Sequence, residues 1–183
     1  TDGTFETEGI YAGLVGARFE KAGQMEFQTM LITPTQNTNV NGYGKTHSSK
    51  PILDEVWAPF YGVSYFYSHD EVVAMEQSMP SEEFEQLFIK LSNGNYLDVQ
   101  KYKHRLRMSI EPFLIGANIA AASSGKRAYV HAVGLGLGVW QVTLEQARLM
   151  LDVYHQVIAE NNLSNIGVIN FSWFPDHEAQ CGT

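Results

Sequence analysis

Ala128-Tyr129-Val130-His131-Ala132-Val133-Gly134-Leu135-Gly136-Leu137-Gly138-Val139-Trp140 is the stretch whose reading decides the fold. Its first six residues form an apolar run of the kind that builds a buried strand. Three alternate glycines follow, then an amphipathic helix, then a second apolar run from Ile166 to Phe171 that closes on Ser172-Trp173-Phe174. Strand, glycine loop, helix and strand make a βαβ unit, whose loop opens at the end of the sheet where ligands bind. A glycine at every second position leaves the backbone bare, so that its N–H groups can converge on an anion such as a diphosphate. The N-terminus of the following helix adds to that attraction. Thr143 and Gln146 stand in capping-box spacing, and Leu144, Ala147, Leu151, Tyr154 and Ile158 recur at helical spacing until Asn161-Asn162.

Upstream, the run Gly9 to Phe19, with glycines at 9, 13 and 16, reads as a bulged strand, because an interior glycine costs a helix about 1 kcal/mol. Arg18 in it is either a guide for an anionic ligand or a surface residue at a strand end. Met25 to Thr33 reads as a second strand, ended by Pro34. The loop from Thr35 to Gly44 concentrates amides and hydroxyls, which suit either ribose hydroxyls or tight turns. Asp54 and Glu55 follow Pro51, where acidic residues favour a helix start and where a carboxylate can also serve as a general base. Val63 to Tyr67 is an aromatic strand candidate. Ser81 to Leu91 reads as a helix with Phe84, Leu87, Phe88 and Leu91 on one face, and Asn93-Gly94-Asn95 as a turn. The basic run Lys101 to Arg107 fits a solvated helix face better than a nucleic-acid patch. Pro112 opens a further helix ending near Gly125, with Asn118 as a polar anchor.

Composition bounds the function. With 183 residues, 44% hydrophobic and 17% charged, the chain is long enough for one good core. A net charge of -8 argues against broad nucleic-acid or acidic-membrane binding. The single cysteine, Cys181, excludes an internal disulfide and fits a reducing, cytoplasmic setting. No run approaches the roughly 18 apolar residues of a spanning helix. The six histidines lack metal-ligand spacing, no nucleophile elbow occurs, and no cofactor is called for. The glycine loop is neither a dinucleotide fingerprint, since Val139 stands where the third glycine belongs, nor a P-loop, since no Gly-Lys-Ser/Thr follows. Trp140, Phe171, Trp173 and Phe174 put aromatic surface at the ends of the two strands, where an adenine can stack. Asp176, His177 and Glu178 follow the last strand.

Tyr129 to Gln141 together with Phe171-Ser172-Trp173-Phe174 resembles the MavL family, macrodomain-related proteins named after a Legionella effector, with relatives in animals. Gly13 to Phe19 and Thr33 to Thr38 share in the resemblance, which thus takes in most of the chain. It implies an α/β fold of the three-layer α/β/α macrodomain type, a central mixed sheet with helices on both faces, in one domain over residues 1–183. It also implies binding of ADP-ribose or an ADP-ribosylated protein, and removal of ADP-ribose from modified arginine, on ubiquitin in the effector's case. By the same resemblance, a bacterial effector of this kind would work in the host cytosol. Carried over residue by residue, Gly134, Leu135, Gly136, Leu137, Gly138, Val139 and Trp140 form the diphosphate loop. Phe171 and Phe174 lie near the adenine, and Gln36, Asn37 and Thr38 lie near the distal ribose. The family's acidic segment of Trp-Asp-Gly-Asn type, C-terminal to the Phe-Ser-Trp-Phe strand, supplies its catalytic aspartates and has no counterpart before Thr183. Asp54 and Glu55 are then the internal carboxylates nominated for catalysis. The chain reads as a segment of something longer, as one partner of a pair, or as a non-catalytic reader of ADP-ribosylated proteins. A nucleotide-binding structural domain is the third reading.

Overall fold

In the computed structural model the described residues are 9–172 and Phe174. Trp173, Asp176, His177, Glu178 and Cys181 lie outside them. The βαβ reading holds. Strand β4 (Ala128–Val133), helix α6 (Glu145–Glu160) and strand β5 (Ile166–Ser172) follow in order, and β4 pairs with β5 in parallel, His131 opposite Asn170 and Ala132 opposite Phe171. A second ladder is antiparallel, in the order β1 (Leu31–Ile32), β3 (Tyr96–Asp98), β2 (Phe88–Lys90). Helices α1 (Met25–Met30), α2 (Ala58–Tyr61), α3 (His69–Ser78), α4 (Ser81–Leu87) and α5 (Val99–Ser124) complete the mixed α/β architecture. That agrees with the macrodomain-like class, although the strands of the described residues divide between two short ladders.

The main core is built on α5. Leu106, Ile110 and Leu114 are fully buried and belong to one cluster with Leu149, Met150, Val153 and Val157 of α6, Val130 and Ala132 of β4, and Met30, Leu31 and Leu97. This packing explains why Pro112 lies inside α5 instead of opening a new helix. The missing N–H and the ring clash cost about 3 kcal/mol, which three buried aliphatic side chains of roughly 2 kcal/mol each outweigh. The basic run also departs from a solvated face. Lys101 is buried in an ion pair with Asp98 beneath the Phe66 ring, 5.0 Å from its centroid. Lys103 pairs with Asp152, Arg105 with Glu26, and Arg107 with both Glu111 and Glu160, so the run ties α5 to its neighbours.

Several expected elements change type. Met25 to Met30 is helical, with only Leu31–Ile32 extended, and residues 9–19 and 63–67 run without ladder pairing. Helix α4 stops at Leu87, where the chain turns extended as β2 so that Phe88 joins Ile32, Val72, Phe84 and Tyr96 in a second core cluster. The Asn93-Gly94 turn forms as read, Leu91 N donating to Asn95 O at 2.8 Å. At the start of α6, Gln146 Oε1 accepts from the N–H groups of Val142 and Thr143, while its Nε2 donates to the Tyr102 hydroxyl at 3.1 Å. The Gln146 half of the expected capping box thus forms, and the Thr143 hydroxyl accepts from Glu145 N at 3.4 Å instead of from Gln146 N. Asn118 is the expected anchor, accepting from Asn165 N at 2.8 Å. Strand β4 is buried on one face only: Val130 and Ala132 enter the core, while Tyr129, His131 and Val133 are exposed.

Met25 is a non-glycine residue with φ of 52°, in the left-handed region. An L side chain there costs about 1–2 kcal/mol, and this one is half exposed and so recovers little by burial. Replacing Met25 by glycine should therefore stabilise the chain by about 1 kcal/mol, seen as a higher urea midpoint with an unchanged slope.

Candidate functional site

The glycine loop consists of two consecutive turns. Leu137 N donates to Gly134 O at 3.3 Å and Gln141 N to Gly138 O at 3.0 Å. Gly136 takes φ of 74° at the third position of the first turn, a conformation that favours glycine. Leu135 is buried in the core and Leu137 packs against it, which orients the loop. The backbone at Gly16 lies directly against it. A Cβ on Gly16 would stand 2.6 Å from Gly136 N and from Leu135 C, so only glycine permits the approach. Ala17, next in the chain, is 1% exposed. Gly138, by contrast, has no atom within 4 Å of a built Cβ, and Val139 is 93% exposed. The N–H groups of Gly138, Val139 and Trp140 donate to no acceptor among the described residues. One half of the loop is thus locked to the strap at Gly16, and the other half presents bare backbone donors.

Beyond Gly16 the strap runs around the loop. Glu20 Oε1 accepts from Trp140 Nε1 at 2.7 Å, and Val15 O accepts from Arg105 Nη2 at 3.2 Å. Residues 22 and 23 then border a cleft of about 650 Å³ with Phe27, Gln28, Thr33, Gln36 and Tyr43. Gln36 Nε2 donates to Leu31 O at 2.9 Å and to Asn37 Oδ1 at 3.0 Å. Asn37 is 4% exposed; its Oδ1 also accepts from Thr33 N at 2.9 Å, and its carbonyl accepts from His69 N. The Thr38 side chain accepts from Asn41 N, capping a short 3-10 turn. The three residues nominated beside the distal ribose therefore first build their own loop. Phe171 meets Tyr154 edge-on at 5.0 Å and Phe174 at 5.4 Å, an aromatic corner at the end of β5.

Asp54 and Glu55 sit in a π-helical turn, Ile52–Trp57. Asp54 Oδ1 lies 2.9 Å from His47 Nε2, and Oδ2 accepts from Lys50 N at 2.9 Å. His47 Nδ1 is 2.8 Å from Gly44 O, so both ring nitrogens face acceptors. The Lys50 N–H holds the Asp54 carboxyl below the usual range, burial opposes it, and His47 adds to the lowering. Asp54 thus clasps the end of the polar loop, while Glu55 is exposed and makes no described hydrogen bond. No described contact joins either carboxylate to the glycine loop. The Gly16 contact, the Glu20–Trp140 bond and the Arg105–Glu26 pair carry no signal in the sequence, because each joins residues far apart in the chain.

An α/β domain with a glycine loop at the end of a parallel strand, strapped from the N-terminal side, is the class that this geometry defines. The profile described as ADP-ribosylhydrolase MavL-like matches residues 1–183, and the chain belongs to that family. The ADP-ribosylarginine hydrolase CG3568 of Drosophila melanogaster is 36% identical over 182 residues, 93% of this chain and 34% of the relative. The ADP-ribosylarginine hydrolase CG2909 of the same organism is 32% identical over 178 residues, again 93% of this chain and 34% of the relative. The chain spans about a third of the length of these curated relatives. Among the described residues no helix is long and apolar enough to cross a membrane, and no group of metal-ligating side chains is found.

Two outcomes test this geometry. Gly16→Ala should lower stability by about 1–3 kcal/mol, since backbone must move to admit the methyl group; urea unfolding reads it. The Asp54 clasp has a depressed carboxyl pKa, so its contribution is present above the ordinary value of about 4 and is lost as pH falls through the lowered one. The stability difference between the natural chain and Asp54→Ala should be constant above about pH 5 and shrink on acidification below that value.

Proposed function

We propose that this chain supplies the ADP-ribose-binding part of a hydrolase that releases ADP-ribose from modified arginine side chains. The observation that carries the reading is the free half of the glycine loop, with Gly138 open and the N–H groups of Gly138, Val139 and Trp140 unpaired among the described residues. Converging backbone donors suit a diphosphate, because they bring partial positive charge without a side chain to exclude the anion. Family membership and the activity named for the two Drosophila relatives favour a hydrolase over a reader.

In this reading Gly134, Leu135, Gly136, Leu137, Gly138, Val139 and Trp140 hold the diphosphate. Phe171 and Phe174 offer their edges to the adenine, and the Gln36–Thr38 loop borders the distal ribose. Fixing both phosphates orients the anomeric carbon, and a water activated by a carboxylate displaces the guanidino nitrogen there. The water's oxygen forms the new bond to that carbon. The carbon–nitrogen bond breaks with its electron pair going to nitrogen, and the leaving guanidine takes up a proton. Asp54 is a hydrogen-bonded clasp before it is a base, because both its oxygens are engaged, and Glu55 has no described partner that would orient it. Among the nominated carboxylates neither is poised for proton transfer, and the reading assigns this chain to binding and orientation. Modified ubiquitin is one substrate to try, given the resemblance.

Calorimetric titration with ADP-ribose, with AMP and NAD alongside, tests the pocket, and release of ADP-ribose from a mono-ADP-ribosylated arginine peptide tests the activity. Gly138→Leu should abolish saturable ADP-ribose binding while leaving the urea midpoint unchanged, since its side chain enters open space. Undiminished binding by that variant would remove the loop from the site.

A further inference from the structure

The parallel pair β4–β5 is covered on one face only. Val130 and Ala132 of β4, with Ile169 and Phe171 of β5, turn into the main core beside α5 and α6. The other face carries Tyr129, His131 and Val133, in register with Val168, Asn170 and Ser172. Tyr129 is 59% exposed and Val168 47%, and neither they nor Val133 join a hydrophobic cluster among the described residues. Parallel strands are almost always covered on both faces, because their crossover connections lay helices there. The ladder has only these two strands among the described residues, so both of its outer edges are open. Along β4 runs a groove of about 900 Å³, between Ile10 and Tyr11 of the strap, Phe113 and Ala117 of α5, and Tyr129 and Val133. The wall that α5 gives it is unusual for a surface helix. From Pro112 to Gly125 no residue is charged, and Ile115 and Ile119 are exposed. A helix without charge on any face belongs inside a larger body.

We infer that this bare face of β4–β5 seats a further layer of the same fold, supplied by the part of the longer family members that this chain does not span. The matched region is 34% of each Drosophila relative, so about two thirds of each lies outside it. A layer carried on the same polypeptide acts at a high effective concentration, which favours it over a second copy of the chain. The face states the chemistry of its occupant. Tyr129, Val133 and Val168 call for aliphatic side chains, as a helix packed on a sheet provides. His131 and Asn170, 3.5 Å apart between them, call for one hydrogen-bonding group, because covering both without a partner would cost their hydration. The groove beside β4 receives the margin of that layer, against Phe113 and Ala117. Val133 stands immediately before Gly134, so the layer reaches the base of the glycine loop.

The test reads accessibility with a thiol-specific maleimide under native conditions. Val168→Cys and, as an exposed control on α4, Glu82→Cys are each made in the 183-residue chain carrying Cys181→Ser. Cysteines are placed at the two matching positions of full-length CG3568, with the labelling of its natural thiols subtracted. The position matching Val168 should react more slowly in CG3568 than Val168→Cys does here, by about tenfold or more, since reaction there waits on local opening. The control position should react alike in both proteins. Equal rates at the Val168 position would overturn the assignment, and so would equal slowing at both positions. Sedimentation of the natural 183-residue chain should give a monomer; a dimer that Val168→Glu dissolves would overturn it in favour of a second copy. No ADP-ribose enters these measurements, so their failure is separate from failure of the function proposed above.

Discussion

The close approach of two backbones, Gly16 against Leu135 and Gly136, is the constraint on which the site depends. At 2.6 Å from a built Cβ to the neighbouring main chain, no other residue fits at position 16 without movement. The contact fixes the height at which the strap crosses the loop. That in turn places Glu20 against Trp140, and Arg18 against α1. The loop's own sequence supplies its turns, with Leu135 in the core and Gly136 in the left-handed region. Its orientation toward the rest of the site comes from the strap.

Charge works in the same direction. Glu26 receives Arg105 from α5, and Arg105 also binds Val15 O and the Ser109 hydroxyl, so one guanidinium joins helix, strap and α1. Further along α5, Arg107 bridges Glu111 and Glu160, with its own proton affinity raised first by Glu111 and the Glu111 carboxyl lowered by Arg107. Surface pairs of this type are worth little singly, about 0–1 kcal/mol. Here their value is geometric: Arg105 ties α5 to the strap and to α1, and the Arg107–Glu160 pair adds a polar tie between α5 and α6, which already share the main core. The buried Asp98–Lys101 pair beneath Phe66 belongs to another category, because loss of either partner would strand a charge in the interior.

The βαβ unit was legible in the sequence because its signals are local: an apolar run, spaced glycines and a helix with a 3.6-residue repeat, all within about one supersecondary motif. The polar loop at 35–44 was legible as a loop for the same reason. Met25 to Met30 was misread as a strand because short apolar runs carry no decisive period, and burial of Thr29 and Met30 settled it as a turn of helix. Pro112 was misread because its cost is local while the packing of Leu106, Ile110 and Leu114 that offsets it is tertiary. Asp54 reads in the sequence as a helix-start residue or a general base, because the sequence does not show that His47, seven residues earlier, folds back on it.

The strap also bears on the order in which the molecule assembles. Gly16 leaves the ribosome well before Gly136, and the contact between them closes a loop of roughly 120 residues, an entropic cost of the kind that slows folding. Helix α5 and the β4–α6–β5 unit rest on near-neighbour contacts and can form beforehand. The N-terminal segment must wait, undocked, until the loop exists to receive it. The final setting of the glycine loop therefore arrives with a late, long-range docking step rather than with the motif that carries the glycines.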